Sequence, residues 1–142
     1  MKSVYIFAVG RIKEKGLRDL CDDYYRRCSS LIQIKEKEVK DLKSLGPLLP
    51  RGALLIALDE HGQQFSSQSF AVILGEWLQG SAQPIVFLIG GADGLGSTLL
   101  QQVNFTVSLG KMTYAHRLVR VVWAEQIYRA ISIIQGTPYH RE

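Results

Sequence analysis

The 142-residue sequence has only two cysteines and lacks any long apolar run. Cys21 and Cys28 lie in what is predicted to be one helix, where a rise of about 1.5 Å per residue separates their Cα atoms by about 10 Å, too far for a disulfide. No C-x-x-C motif and no cluster of histidine with cysteine accompanies them, so neither a redox motif nor a metal site is supported. The apolar stretch 4–9 is too short for a signal peptide, and no run approaches the roughly 20 residues of a membrane span. These absences predict free thiols, no metal and a soluble cytoplasmic protein.

Charged residues are scarce in the second half of the chain. Residues 1–60 contain 12 Lys or Arg and 9 acids, whereas residues 61–142 contain 5 and 4. No carboxylate occurs between Asp93 and Glu125, the interval that holds Lys111, His116, Arg117 and Arg120. A phosphate-rich ligand would meet no repulsion there, and the net charge of +4 permits such a partner. A small solvated basic face is the commoner explanation of such a pattern, so the charge alone does not decide.

Continuous apolar segments alternate with amphipathic ones along the chain. Strands are predicted at 4–9, 31–39, 53–58, 84–89 and 105–109, and helices at 14–30, from Ser66 or Ser67 to about Gln79, at 97–103 and at 117–135. Unbroken apolar strands that alternate with helices are typical of a parallel sheet covered on both faces. The length and the composition, 46% hydrophobic and 21% charged, suit one compact domain. The sequence therefore predicts a single α/β domain over residues 1–142.

Three predicted strands end in segments suited to ligand binding, namely Leu58 onward, Gly90 onward and Leu109 onward. Ligands of open α/β sheets bind beyond the carboxyl ends of the strands. The segment GGADG at 90–94 allows a close approach of the backbone to a ligand. It matches neither the dinucleotide fingerprint G-x-G-x-x-G nor the phosphate loop, which needs Gly-Lys-Ser/Thr. NAD binding and nucleotide hydrolysis are therefore disfavoured, while a plain strand-to-helix turn stays open.

The last 35 residues combine a loop, a long helix and a polar tail. The loop 108–116, SLGKMTYAH, is suited to binding an adenine by apolar packing and backbone hydrogen bonds, although an ordinary surface loop is the commoner case. Val121 and Tyr128 fall in the polar sector of the helix, which indicates either homodimerisation or isolated surface residues. Arg117 and Arg120 share a helix face and are predicted to reach phosphates together. The tail, with Tyr139, His140, Arg141 and Glu142, is either a solvated end or a site held by the helix.

Three segments together resemble the RlmH family of SPOUT-superfamily methyltransferases. They are LDEHG at 58–62, FLIGGADG at 87–94 and KMTYAHRLVRVVWAEQIYRAISIIQGTPYHR at 111–141. The resemblance covers the whole chain and is most specific from Phe87 onward. It implies a SPOUT-type parallel sheet with helices on both faces, a C-terminal trefoil knot, a homodimer, and S-adenosyl-L-methionine as methyl donor. The implied substrate is N3 of a pseudouridine in helix 69 of the 23S rRNA, on the assembled ribosome.

The resemblance also implies which residues form the site. The residues implied for the cofactor are Leu58, Gly90, Leu109, Gly110, Lys111, Met112, Thr113 and Tyr114. The tail residues Tyr139, His140 and Arg141 are predicted to be the catalytic end, completing the site across the dimer interface, and the predicted RNA contacts are His116, Arg117 and Arg120. The chain departs from the family pattern at Ala115, where proline is common, and this departure predicts a looser loop.

In the implied reaction, N3 attacks the sulfonium methyl after losing a weakly acidic proton. His140 is predicted to take that proton, Arg141 to hold negative charge on the uracil oxygens and Tyr139 to stack on the base. Two other functions stay open: a non-catalytic RNA- or ribosome-binding module of the same fold, and a nucleotide-binding oxidoreductase. Tight binding of a reduced nicotinamide cofactor would favour the oxidoreductase, and ribosome binding without methyl transfer would favour the binding module.

Overall fold

A computed structural model of the chain describes residues 2–80 and 82–141, so Glu142 of the predicted tail lies outside the described residues. The strands are β1 (Lys2–Val9), β2 (Ile32–Val39), β3 (Leu54–Gln64), β4 (Ile85–Ile89) and β5 (Phe105–Ser108). The helices are α1 (Lys15–Arg27), α2 (Ser67–Gly80), α3 (Ser97–Leu100) and α4 (His116–Gln135), with 3₁₀ turns at Cys28–Ser30 and Gly46–Leu48. None of the helices within these ranges has the length and hydropathy that a membrane crossing requires.

The described strands form one parallel sheet in the order β2-β1-β4-β3-β5. All five residues of β4 are buried, as its uniformly apolar sequence IVFLI requires at the centre of a sheet. The chain moves from β1 outward to β2 and then to the other side of β1 for β3, so connections leave the sheet centre in opposite directions. Such a point of divergence is where open α/β sheets bind ligands. The predicted parallel sheet is therefore confirmed.

The two faces of the sheet are covered unequally. The helices α1, α2 and α4 line one face, where the main core includes Ile6, Phe87 and Trp123. The other face is covered by the loop around the buried Leu45 and by the segment 95–103, which contains the single turn of α3. The prediction of helices on both faces is thus correct only in part, because the second layer is mostly loop.

The strand β3 continues beyond its predicted end at Leu58 as far as Gln64. Leu58 and Gln63 both pair with Val107 of β5, so the residues between them bulge out of the ladder. Gly62 lies in this bulge, where a Cβ would stand 2.8 Å from the backbone nitrogen of Val107. Only glycine allows this close approach of two backbones. The acidic segment 59–62 is therefore held beside β5 and does not leave the sheet as a free loop.

The helix α1 is shorter than the predicted helix 14–30, because residues 28–30 form a 3₁₀ turn. Cys21 and Cys28 are buried and unpaired, as predicted. Burial raises the pKa of Cys21 to about 11 and that of Cys28 to about 12. Both thiols are therefore protonated near neutral pH and serve as small core residues.

The side chain of Arg120 is completely buried and ties α4 to the first two strands. Its Nη2 atom lies 2.9 Å from Oε2 of Glu36 and 2.9 Å from Oε2 of Glu38, both on β2, and its Nη1 donates to the Gly10 carbonyl at 3.3 Å. Glu38 also accepts the backbone N–H of Ile12 at 2.9 Å. Burial opposes the charge of Arg120, but the hydrogen bonds and charges of Glu36 and Glu38 outweigh burial and raise its pKa. The network fixes the segment after β1 against α4.

The burial of Arg120 contradicts its predicted role in binding RNA. Its Nη atoms donate to two carboxylates and a carbonyl, and the side chain is 0% exposed, so no phosphate reaches it. Arg117 is exposed, with an ion pair of 3.2 Å to Glu14, and its RNA contact stays a prediction. The three-residue spacing put the two arginines on neighbouring positions, but α4 packs on the sheet at the second one.

We predict that Arg120→Met destabilises the protein by about 1–3 kcal/mol at pH 7, because it removes the buried cation of Glu36 and Glu38 and leaves them only the partly exposed Arg18 as an ion-pair partner. Arg117→Met is the matched control, since an exposed ion pair contributes about 0–1 kcal/mol. Urea unfolding followed by tryptophan fluorescence measures both changes.

The destabilisation by Arg120→Met should shrink on acidification. Burial alone would raise the pKa of Glu38, but the hydrogen bonds from Ile12 and Arg120 lower it below the ordinary 4.5. Stability from a carboxyl with a lowered pKa is present above its unfolded pKa and is lost as the pH falls through its folded pKa. The wild type therefore loses this stability as the pH falls below 4.5 and through the folded pKa of Glu38, and a stability difference between wild type and variant that stays constant on acidification would contradict the network.

Candidate active site

Residues 58–60 of β3 and the carboxyl ends of β4 and β5 surround a cavity of about 550 Å³. This volume lies within the range of ordinary small-molecule sites. Most of the residues predicted to bind the cofactor line the cavity: Leu58, Gly90, Leu109, Gly110, Met112, Thr113 and Tyr114. The remaining one, Lys111, is exposed and lies outside the lining. The three strand ends chosen from the sequence therefore meet at one place.

The loop after β4 requires glycine at position 90. A Cβ there would stand 2.7 Å from the carbonyl carbon and oxygen of Gly94. The Gly94 N–H donates to the Gly91 carbonyl at 3.0 Å, and Gly94 has a φ of +75°. The loop thus folds back on itself at the edge of the cavity, so that backbone atoms form this wall.

The loop after β5 is held by Ser108, which is buried at the end of the strand. Its Oγ accepts the Gly110 N–H at 3.0 Å and lies within hydrogen-bond distance of the carbonyls of Glu60 and Gly110, at 3.1 and 3.0 Å. Ser108 therefore links the bulge of β3 to the start of the loop 109–115. These two segments, which supply Leu58 and Leu109, are positioned together.

Three carboxylates that sequence reasoning overlooked also line the cavity, those of Asp59, Glu60 and Asp93. No lysine or arginine from the described part of the chain joins them in the lining. A cavity with several acids and no basic side chain suits a cationic ligand, while Ile89 and Val119 supply apolar surface. The signal was present in the sequence, because each acid follows closely after a predicted strand. Within the described ranges, no group of His, Cys, Asp and Glu is arranged to hold a metal ion.

His116 begins α4 and also lines the cavity. Its Nε2 lies 2.7 Å from the Val9 carbonyl, and because a carbonyl only accepts, Nε2 carries the proton. Ala115 before it has φ −58° and ψ 138°, the extended geometry that a proline also adopts. The backbone at Ala115 is therefore one that a proline could also adopt, and the contact with the Val9 carbonyl holds the ring of His116.

The tail folds back along α4. Gly136, with a φ of +71°, ends the helix and reverses the chain. The Tyr139 hydroxyl donates to Oε1 of Glu125 at 3.2 Å, and its ring meets that of Tyr128 edge-on with centroids 4.7 Å apart. Burial, hydrogen bonding with Tyr24 and the charge of Glu125 raise the pKa of Tyr139, so the phenol is neutral.

His140 contacts the same part of α4. Nη1 of Arg129 lies 3.1 Å from Nδ1 of His140, and Arg129 is itself paired with Glu125 at 2.6 Å. Arginine only donates, so Nδ1 accepts and the neutral imidazole carries its proton on Nε2. Glu125 and Arg129, four residues apart on α4, thus form an ion pair that Tyr139 and His140 of the tail also contact.

Within one chain the tail and the cavity are separate. None of the residues 136–141 lines the cavity. Val119 is the last residue of α4 in the lining, whereas Glu125, the nearest tail contact along α4, lies six residues further on, a distance of about 9 Å along the helix. The structure therefore brings the predicted cofactor residues together and the predicted catalytic residues together, but not the two groups with one another.

Comparison with known proteins gives a consistent family. The model of the family described as "Predicted SPOUT methyltransferase" matches residues 1–140. Proteins named "Ribosomal RNA large subunit methyltransferase H" are similar over nearly the full length. The one from Ruegeria sp. (strain TM1040) is 39% identical and covers 97% of this chain and 98% of its own. The one from Gluconacetobacter diazotrophicus is 42% identical, with 96% and 95% covered.

A solved structure shares the fold. The crystal structure of the SpoU methyltransferase AviRb from Streptomyces viridochromogenes, in complex with the cofactor AdoMet, superposes with a TM-score of 0.54 at 13% identity. The superposition covers 96% of this chain and 60% of the AviRb chain. This similarity supports the fold and does not extend to the site residues.

We predict that Gly90→Ala destabilises the protein by about 1–3 kcal/mol, because the added methyl overlaps the backbone of Gly94. Gly75→Ala, in the interior of α2, is the matched control, since its Cβ would lie 3.8 Å from Ile134. Alanine favours a helix over glycine by about 1 kcal/mol, so the control should be neutral or stabilised. Thermal unfolding compares the two, and a Gly90→Ala protein as stable as wild type would contradict the tight loop.

Proposed function

This chain belongs to the SPOUT methyltransferase family, together with the ribosomal RNA large subunit methyltransferases H, and we propose that it methylates N3 of a pseudouridine in 23S rRNA. The donor in this proposal is S-adenosyl-L-methionine, and the substrate is helix 69 on the assembled ribosome. The observation that carries the proposal is the single cavity at which the strand ends of β3, β4 and β5 meet. Full-length similarity to proteins named as rRNA methyltransferases supports the choice of substrate class.

The cavity suits this donor better than a dinucleotide. When bound, S-adenosyl-L-methionine supplies an electrophilic methyl group on a positively charged sulfonium. Asp59, Glu60 and Asp93 favour a cation, and the backbone of the loop 90–94 and the apolar side chains favour a flat base. The same carboxylates would repel the pyrophosphate of a nicotinamide cofactor. The oxidoreductase alternative is therefore disfavoured by charge as well as by motif.

We propose a homodimer in which the tail of one protomer completes the cavity of the other. The separation of tail and cavity within one chain supports this arrangement. Tyr128 gives it less support than the sequence indicated, since its ring already packs on Tyr24 and Tyr139. Leu118 of α4 is a better candidate for the interface, because it is 43% exposed. Leu118 lies next to His116 and Arg117 at the cavity end of the helix.

The trefoil knot implied by the family stays a proposal that the chain path supports. The sheet order places β5 three strands away from β1. Yet His116, only a few residues after β5, contacts the Val9 carbonyl at the end of β1. The segment 109–115 must therefore cross the ends of β3 and β4, where the loop 90–96 also leaves the sheet. A knot arises when one of these segments passes through the loop formed by the other.

For the chemistry we propose that His140 acts as a hydrogen-bond donor. Because Arg129 donates to Nδ1, the free Nε2 of a neutral His140 carries a proton and is suited to a developing negative charge on a uracil oxygen. Arg141 adds a positive charge beside it, and Tyr139 offers a neutral ring for stacking. Removal of the N3 proton by His140, as the sequence suggested, would require the contact with Arg129 to break. With the anionic base stabilised in this way, the proton is released to water.

Transfer of a labelled methyl group from S-adenosyl-L-methionine tests the function. Intact ribosomes, free large subunits and naked 23S rRNA serve as acceptors, and the modified nucleotide is then mapped. We expect labelling of a pseudouridine at N3 on intact ribosomes and little on naked RNA. Binding to ribosomes without methyl transfer would instead support the non-catalytic module.

Complementation tests the contribution of the tail across the interface. Asp59→Lys/Glu60→Lys abolishes cofactor binding by reversing charge, and truncation after Pro138 removes the tail. Each variant alone should be inactive, but their co-expression should restore about a quarter of wild-type activity, since half of the dimers contain one intact composite site. The control pairs the truncated chain with a chain that carries both changes. Activity no greater than in this control would show that the tail acts within its own chain.

The role of His140 is tested by His140→Gln against His140→Ala. The glutamine amide retains a donor near the position of Nε2, so we expect it to keep most of the single-turnover rate, whereas alanine loses about 10²–10³-fold. Glutamine cannot act as a base. If both variants lose the single-turnover rate equally and both lose the acid limb of the pH–rate profile, His140 removes the N3 proton.

A further inference from the structure

A second groove adjoins the candidate active site. It has a volume of about 780 Å³ and shares residues 91–95 with the first cavity as a common wall. The opposite wall is formed by the segment that follows β2 and includes Lys40 and Lys43. A molecule in the groove and a cofactor in the cavity would thus lie on two sides of one loop.

The lysine wall is fixed to the sheet. Leu42 packs in the core of the less helical face, and Leu45 is buried there. Oδ1 of Asp41 accepts the N–H groups of Lys43 and Ser44 at 3.0 and 3.3 Å. Asp41 therefore shapes the loop, and its carboxylate stays beside the two lysines, so this wall carries two positive charges against one negative charge. Two exposed ammonium groups are presented from a rigid base.

Lys40 and Lys43 lack an ion-pair partner among the described residues. Across the groove, Ser97 and Thr98 offer hydroxyl groups and Gln102 an amide. The other carboxylate of the lining, Asp93, belongs to the wall shared with the cofactor cavity. An anion is therefore favoured at the lysine wall, away from Asp93.

Further cations lie at the same end of the sheet, beyond the carboxyl ends of its strands. Arg11 and Lys13 come directly after β1, Lys111 follows β5 and Arg117 lies at the start of α4, and all four are exposed. The five strands are separated by four spacings of about 4.8 Å, so this end of the sheet is about 19 Å wide. The distribution fits an extended polyanion better than a single small anion.

We propose that the groove between Lys40, Lys43 and the loop 91–95 binds the phosphate backbone of the substrate RNA beside the target nucleotide. This inference rests on the proposed function, since the RNA in question is the methyl acceptor. Phosphates at the two lysines would place the adjacent base against the loop that separates groove from cavity. The backbone contact fixes the position of the RNA and leaves selection of the base to other groups.

Two measurements on Lys40→Gln, Lys43→Gln and the double variant test the groove. The first is the affinity for a labelled oligouridylate at several KCl concentrations, without cofactor. The slope of log K against log[KCl] should become shallower by about 0.7 for each lysine that neutralises a phosphate of a single strand. The second is methyl transfer to ribosomes, where the KM of the double variant should rise about three- to tenfold with kcat and cofactor affinity unchanged.

Arg51→Gln is the matched control. It removes a positive charge from the turn before β3, at the amino-terminal end of the strands, and should alter neither the salt dependence nor the KM. Lysine variants that match Arg51→Gln in both the salt dependence and the KM would overturn the proposed role of the groove. A wild-type protein that binds neither the oligouridylate nor ribosomes would overturn it as well. If the wild type transfers no methyl group but the slope of log K against log[KCl] is still shallower in the lysine variants, the proposed methyl transfer is wrong and RNA binding in the groove is supported. If the wild type methylates ribosomes and the variants match the control, the groove alone fails.

Discussion

The buried contact of Arg120 with Glu36, Glu38 and the Gly10 carbonyl is the constraint on which the rest of the molecule depends. It joins the second turn of α4 to the end of β1 and the end of β2, although α4 follows β5 at the far side of the sheet. Once α4 is held there, His116 reaches the Val9 carbonyl and the segment 109–115 must pass over the ends of β3 and β4. A charged residue in the core is costly unless it is paired, so the ion pairs with Glu36 and Glu38 make this placement of the helix specific, although Nε of Arg120 has no hydrogen-bond partner among the described residues.

Charge is sorted by sign around the ends of the strands. Asp59 and Glu60 line the central cavity and Asp93 lies in the wall that it shares with the groove, whereas Lys40, Lys43, Arg11 and Lys13 lie outside the cavity. A small cationic methyl donor favours nearby carboxylates, whereas a large anionic RNA favours lysine and arginine. Only the glycine-rich loop 91–95 separates the cavity from the groove, so the two sites are adjacent. The near-neutral composition of the second half of the chain reflects this arrangement, since the loops that form the wall carry few charges of their own.

The elements that were predictable from the sequence are those whose pattern is local. The apolar run of β4, the apolar stripe of α4 and the strand ends at Leu58, Gly90 and Leu109 all have local signatures, and the structure brings those ends together. Features that depend on a distant partner were not predictable. Arg120 looked like a surface residue because nothing in α4 reveals Glu36 and Glu38 opposite it. The continuation of β3 was missed because Asp59 and Gly62 are typical of turns, and only the proximity of Val107 explains them.

A single helix joins the two halves of the candidate site, with His116 in its first turn and the tail anchored on Glu125 and Arg129. The length of α4 therefore determines the distance and the angle between His116 and the tail. Each inserted or deleted residue would rotate the tail by about 100° around the helix axis and shift it by about 1.5 Å, so no small change in length is neutral. Relatives of this chain are therefore free to vary in the loops on the thinner face of the sheet, but the number of residues from the start of this helix to the closing tyrosine should be nearly invariant among them.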